Sequence, residues 1–148
     1  MKNAPPLPRR IVRSKEEYLS YVKAQNNRTN VYTSVYDFAE FAEKAKIDSS
    51  VILDRIFLDF DAHGESIEKA WRDVNIVMTY VIENGYQYTL FFSGRGFHLF
   101  VFGEVTDTIR NIQVFFREIK TYLVNIVGSD ITLDDRVGQA TRLRRIPN

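Results

Sequence analysis

Cysteine is absent from the 148 residues, which excludes a disulfide framework, a thiolate zinc site and a thiol nucleophile. A charge surplus is also missing: 20 Lys and Arg stand against 19 Asp and Glu, a net charge of +1. Overall charge therefore gives no argument for nucleic acid, and only local clusters can make one. There is no signal peptide and no apolar run long enough to cross a bilayer, which predicts a soluble, cytoplasmic protein with no membrane partner. Proline is scarce, and three of the four, Pro5, Pro6 and Pro8, deny a helix to residues 1–13. That segment is expected to be an extended arm whose Arg9, Arg10 and Arg13 are solvated, contact with a phosphate backbone being the alternative. Internal repeats and inner linkers are lacking, so residues 14–148 read as one domain.

What is present is enough to fold. Apolar residues make up 45% and aromatics 14% of the chain, above the range of disordered segments. Ser14-x-x-Glu17 resembles a capping box and opens a short helix to about Ala24. Residues 25–30 are loop-like, and Val31-Tyr32-Thr33 predicts a brief strand. Ser34-x-x-Asp37 is a second capping signal, with Phe38, Ala42 and Ala45 on one helical face.

From residue 51 the pattern sharpens. Val51–Asp61 reads as a buried strand, with Ile56, Leu58 and Phe60 on one face and Phe57, Asp59 and Asp61 on the other. Ser66 caps a helix to about Glu83 whose stripe is Ile67, Ala70, Trp71, Val74, Met78, Val81 and Ile82. Residues 86–93 and 97–102 form a hairpin around Gly94-Arg95-Gly96. A helix starting at Thr106 or Asp107 turns Ile109, Ile112, Phe116, Ile119, Leu123 and Ile126 inward, and Gly128-Ser129 ends it. Ile131-Thr-Leu133 is a short strand reaching Asp134-Asp135, and residues 137–148 are a further strand or hairpin.

The fold class is thus α+β. An RRM-like β-α-β-β-α-β core over about residues 51–134 would form an antiparallel sheet with both helices on one face and an open face on the other, preceded by N-terminal helices. On that open face the alternation gathers Asp59, Asp61, Ser93, His98 and Asp134. Carboxylates leaving water cost several kcal/mol each (order of magnitude) unless a cation meets them. Three on one sheet suit a pair of hard divalent ions, about 4 Å apart, that assist phosphoryl transfer. Opposite stands Ser93-Gly-Arg-Gly-Phe-His98: glycines admit a phosphate to the backbone, Arg95 offers a fork and His98 a donor. Each part has a plainer meaning by itself. Asp-x-Asp can be a solvated strand end, Gly-x-Gly a hairpin turn, and His98 a satisfied sheet residue; His63 is read as a turn residue.

Taken together, the residues resemble the archaeo-eukaryotic primase superfamily, the catalytic core of primase small subunits and primase-polymerases. Phe57-Leu-Asp59-Phe-Asp61 matches its first motif and Ser93-Gly-Arg95-Gly-Phe-His98 its second. Leu133-Asp134, with Val137, matches the third, and Arg145-Ile-Pro147 its later basic-x-Pro signature. The match covers residues 51–147, about two thirds of the chain. The resemblance implies a DNA primase or primase-polymerase of DNA replication, a nucleotidyltransferase. Asp59, Asp61 and Asp134 would hold two Mg²⁺ or Mn²⁺ ions, and Ser93, Arg95, His98 and Arg145 would grip a nucleoside triphosphate, with Arg142 and Arg144 as basic neighbours. A single-stranded template or primer is the implied partner, with a primase large subunit or helicase beside it. The cysteine-based zinc insertion frequent in cellular primases is excluded. The family fold usually continues past its final Pro, so a truncated domain, a minimal plasmid- or virus-type member and a nucleotide-binding remnant all fit. Two other readings stand beside this one. The first is a non-catalytic nucleotide- or nucleic-acid-binding module, with Phe100 and Phe102 stacking bases. The second is a phosphatase of the haloacid dehalogenase type with Asp59 as nucleophile, although His63 stands where Thr or Val is usual.

Overall fold

The computed structural model describes residues 10–26, 28–40, 50–64, 66–136 and 143–146. The chain divides after Val31 into two compact units. In the first, helix α1 (Lys15–Gln25) begins where the Ser14 side chain accepts the Glu17 N–H. The Glu17 carboxylate accepts from the Arg13 N–H at 3.0 Å and from Arg10 at 3.1 Å. The Arg13 backbone bond first, then Arg10, holds the Glu17 carboxyl below its usual range.

The second unit is built on β3 (Val51–Asp61), an eleven-residue strand. It follows two short strands, β1 (Tyr32–Ser34) and β2 (Asp37–Phe38). It is followed by helix α2 (Ile67–Glu83), β4 (Gln87–Phe92), β5 (Gly96–Thr106), helix α3 (Ile109–Val127) and β6 (Leu143–Arg145). The main sheet runs β2-β3-β5-β4, every pair antiparallel, and β1 pairs with β6 in a separate ribbon. The α+β class of the sequence reading is what the structure has.

The hydrophobic alternation of β3 places the core. Ile56, Leu58 and Phe60 are buried with Leu99 and Val101 of β5, Val74, Val77 and Val81 of α2, and Ile119 and Leu123 of α3. Both helices are capped from side chains: Ser66 accepts the Glu68 N–H and Thr108 accepts the Arg110 N–H. Gly128, at φ 84°, ends α3 in a conformation that strains other residues. Among the described residues no helix is long and apolar enough to cross a membrane.

Four expectations are corrected. Ser34 opens no helix at Phe38; Asp37 and Phe38 pair instead with Ile52 and Val51, where a long neighbouring strand offers them hydrogen bonds. Ala42 and Ala45 lie outside the described residues. The strand expected at residues 131–133 shrinks to a single antiparallel bridge, Phe60 to Leu133, on the β3 edge that β2 also uses. Trp71, Ile82 and Ile126 are exposed, because each helix buries a stripe narrower than its apolar pattern. The sheet's second face is not open at its centre: Phe57, His98 and Phe100 are only 2%, 5% and 5% exposed. Arg144, brought over by the β1–β6 ribbon, sits 4.9 Å from the Phe100 ring and 5.6 Å from the Phe91 ring.

Candidate functional site

The site lies where β3 ends. Asp59 and Asp61 project from the face opposite the helices, and cross-strand register sets Asp59 against His98, whose Nε2 is 3.6 Å from the carboxylate. Asp61 accepts the His63 N–H at 3.0 Å, with the His63 ring at 3.8 Å and the Arg95 guanidinium at 3.7 Å. The third carboxylate arrives by backbone. The Asp134 N–H donates to the Asp59 carbonyl at 2.8 Å, and the Asp61 N–H donates to the Thr132 carbonyl at 3.0 Å. Asp59, Asp61 and Asp134 therefore share one end of the sheet.

Their charges are met by protein cations. Arg136 reaches back to Asp134, its N–H at 2.9 Å and its Nε at 3.1 and 3.2 Å. The hydrogen bond to Asp134 raises the Arg136 pKa further, and the negative charges of Asp134 and then Asp59 add to that. Among the described residues no three His, Cys, Asp or Glu side chains are close enough together to hold one metal ion. The donor chemistry, three carboxylates, suits a hard divalent cation. The arrangement with Arg136 on Asp134 does not present all three to a single ion.

The hairpin stands beside the carboxylates. Gly94 has φ 93°, and a Cβ on Gly96 would lie 1.8 Å from the Phe60 carbonyl oxygen. Both glycines are thus required by the turn and by the close approach of β5 to β3. The Ser93 N–H donates to the Gly96 carbonyl at 2.9 Å, and the Ala62 N–H donates to the Arg95 carbonyl at 3.3 Å. Arg145, fifty-two residues along the chain from Ser93, donates to the Ser93 carbonyl and approaches Gly94. Ser93, Arg95 and Arg145 thus gather around the turn, while His98 stands on β5 beside Asp59. Val137, Arg142 and Pro147 lie outside the described residues.

Asp73 is the residue that sequence reasoning missed. It is fully buried in α2, and one carboxylate oxygen accepts the Thr132 N–H at 2.8 Å and the Thr132 hydroxyl at 2.9 Å. The other oxygen accepts Arg72 Nε at 2.9 Å and Nη2 at 2.6 Å. A buried carboxylate satisfied on both oxygens clamps the segment that carries Asp134 to the helix layer. The signal was readable: position 73 falls on the stripe of Ala70, Val74, Val77 and Val81, where an acid is out of place.

No protein-family model, curated protein or solved structure matches the chain.

Proposed function

We propose that the protein is the catalytic domain of a DNA primase or primase-polymerase, joining nucleoside triphosphates to a 3′-hydroxyl on a single-stranded template. The observation that carries this reading is the pair of backbone hydrogen bonds that brings Asp134 beside Asp59 and Asp61. An RRM-like description of the core is part of the proposal. The order β4-β5-β3 with Leu133 on the far edge of β3, and two helices between the strands in sequence, supports it.

In this reading Asp59, Asp61 and Asp134 would hold Mg²⁺ or Mn²⁺, and Arg136 would leave Asp134 for the solvent. Bound there, divalent ions would supply activation of the attacking hydroxyl and neutralisation of the leaving pyrophosphate. Arg95 and Arg145, beside the hairpin, would orient the triphosphate, with Ser93 and His98 adding hydrogen-bonding groups. The protein's work is positioning and charge neutralisation for in-line displacement, with no covalent enzyme intermediate.

The test is primer synthesis and extension on single-stranded DNA with labelled nucleotides and Mn²⁺ or Mg²⁺. Metal-dependent product that disappears in Asp59→Ala/Asp61→Ala and in His98→Ala is the expected result. No product under any metal would remove the catalytic reading. A second reading, a non-catalytic nucleotide-binding module, is favoured by one observation: Arg136 already neutralises Asp134. It predicts triphosphate binding indifferent to Asp59→Ala. The phosphatase reading loses support, because the antiparallel sheet is not the parallel one such enzymes use.

A further inference from the structure

The sequence reading put base stacking on Phe100 and Phe102, but Phe100 is buried beneath Arg144. Phe91 on that face is 37% exposed, and more widely exposed rings lie on the helix side of the same hairpin. Trp71 of α2 lies 5.2 Å from Phe97 of β5, and Phe97 lies 5.6 Å from Phe92 of β4. The three form a row from the helix layer to the sheet edge, each on a different element of regular structure. Phe97 is half-buried and anchors the row, while Trp71 and Phe92 are 47% and 56% exposed.

We propose that this row is a stacking platform for the bases of single-stranded nucleic acid, leading a strand to the end of the sheet where Asp59 and Asp61 lie. Two observations choose that occupant. The first is continuity: Phe92 and Phe97 immediately flank the Ser93–Gly96 turn, so the row ends at the turn whose other side faces the carboxylates, at the same end of the sheet. The second is charge. Arg95, 78% exposed in the turn between Phe92 and Phe97, and the half-exposed Arg72, the chain neighbour of Trp71 and bonded to Asp73, bring positive charge to both ends of the row along the chain. Aromatic faces with neighbouring cations fit a ligand of stacked bases on an anionic backbone, and every base has a face to offer. The purpose of the bound strand, to serve as template or primer, rests on the nucleotidyl-transfer reading; the binding itself does not.

Trp71 is the only tryptophan of the chain, so its emission reports on the row alone. The experiment titrates the full chain with oligothymidylate in EDTA, without nucleoside triphosphate, and follows tryptophan fluorescence. Saturable quenching is expected. Phe92→Ala is expected to weaken binding about tenfold, the loss of one stacked base, while Phe92→Tyr keeps the ring and the affinity. Ile126→Ala, on an exposed position of α3, is expected to leave the titration unchanged. Absence of quenching overturns the platform, as does quenching that Phe92→Ala and Phe92→Tyr leave equally intact. Emission that depends on protein concentration, with dimers in sedimentation, also overturns it, because a second copy then covers the row. Quenching without primer synthesis would leave the platform standing and remove the catalytic reading. Synthesis without quenching would do the reverse.

Discussion

Asp73 and Asp134 are two withdrawn carboxylates, and each has an arginine within two positions along the chain. They differ in what closes the site around them. Asp73 has no solvent exposure and is bonded on both oxygens, by Arg72 and by the backbone and hydroxyl of Thr132. Asp134 keeps 10% of its side chain exposed, and the Arg136 side chain that meets it is 71% exposed. The first carboxylate is itself out of water, held on one oxygen by the buried Thr132 and on the other by the half-exposed Arg72. The second is held by a long side chain that solvent can take over at little cost. A buried acid with fixed donors is a structural clamp; a partly exposed acid with a releasable cation can exchange that cation for another.

The largest effect expected from this contrast is on Asp73. Asp73→Ala removes one partner of a buried network and strands the Thr132 N–H and hydroxyl, so it should cost about 3–5 kcal/mol in urea unfolding. A loss below about 1 kcal/mol would mean that the clamp is not what holds residues 130–134. Asp134→Asn should barely move the unfolding midpoint yet abolish metal-dependent synthesis, and equal damage to stability would erase the distinction between the two acids. Arg136→Ala should tighten Mn²⁺ binding several-fold, measured by titration calorimetry, because Asp134 then loses its competing cation. Weaker binding in that variant would make Arg136 part of the site and not its occupant.

The smallest effect concerns pH. The Ser66 hydroxyl, first, and the Glu68 N–H, second, hold the Glu68 carboxyl below its usual range. Because the folded pKa is depressed, its contribution to the start of α2 is present above the ordinary carboxylate range and is lost as pH falls through the lowered value. Amide exchange in the first turn of α2 should therefore quicken in acid, while Asp73 variants exchange faster at neutral pH as well. No acid-dependent change at Glu68 would remove the cap from this account.

Much of the site could be read without coordinates, because it depends on strand alternation. Asp59 and Asp61 follow from the period of β3, and His98 reaches Asp59 through antiparallel pairing across a tight turn. Gly94 and Gly96 could be read as a hairpin turn, although the close approach of Phe60 to Gly96 could not. Asp73 escaped, since a single acid on a helical stripe looks like a pattern error until Thr132, fifty-nine residues away, supplies its donors. The covered sheet centre escaped for a similar reason. The cation over Phe100 comes from a strand that pairs with Tyr32–Ser34, far from it in sequence.

Although α3 starts behind Thr108 and not at Thr106 or Asp107, the sequence by itself determined where α2 begins and ends, where α3 ends, which face of Val51–Asp61 is apolar, and that two carboxylates finish that strand. These are local matters, settled by capping side chains, glycine and side-chain periodicity. Only the tertiary structure decided that Asp134 meets Asp59 by backbone, that Arg136 neutralises it, and that Trp71 and Phe92 remain in water while Phe100 does not. Those outcomes turn on which distant segments share a surface, and the cost of burying or exposing each group is set by that sharing.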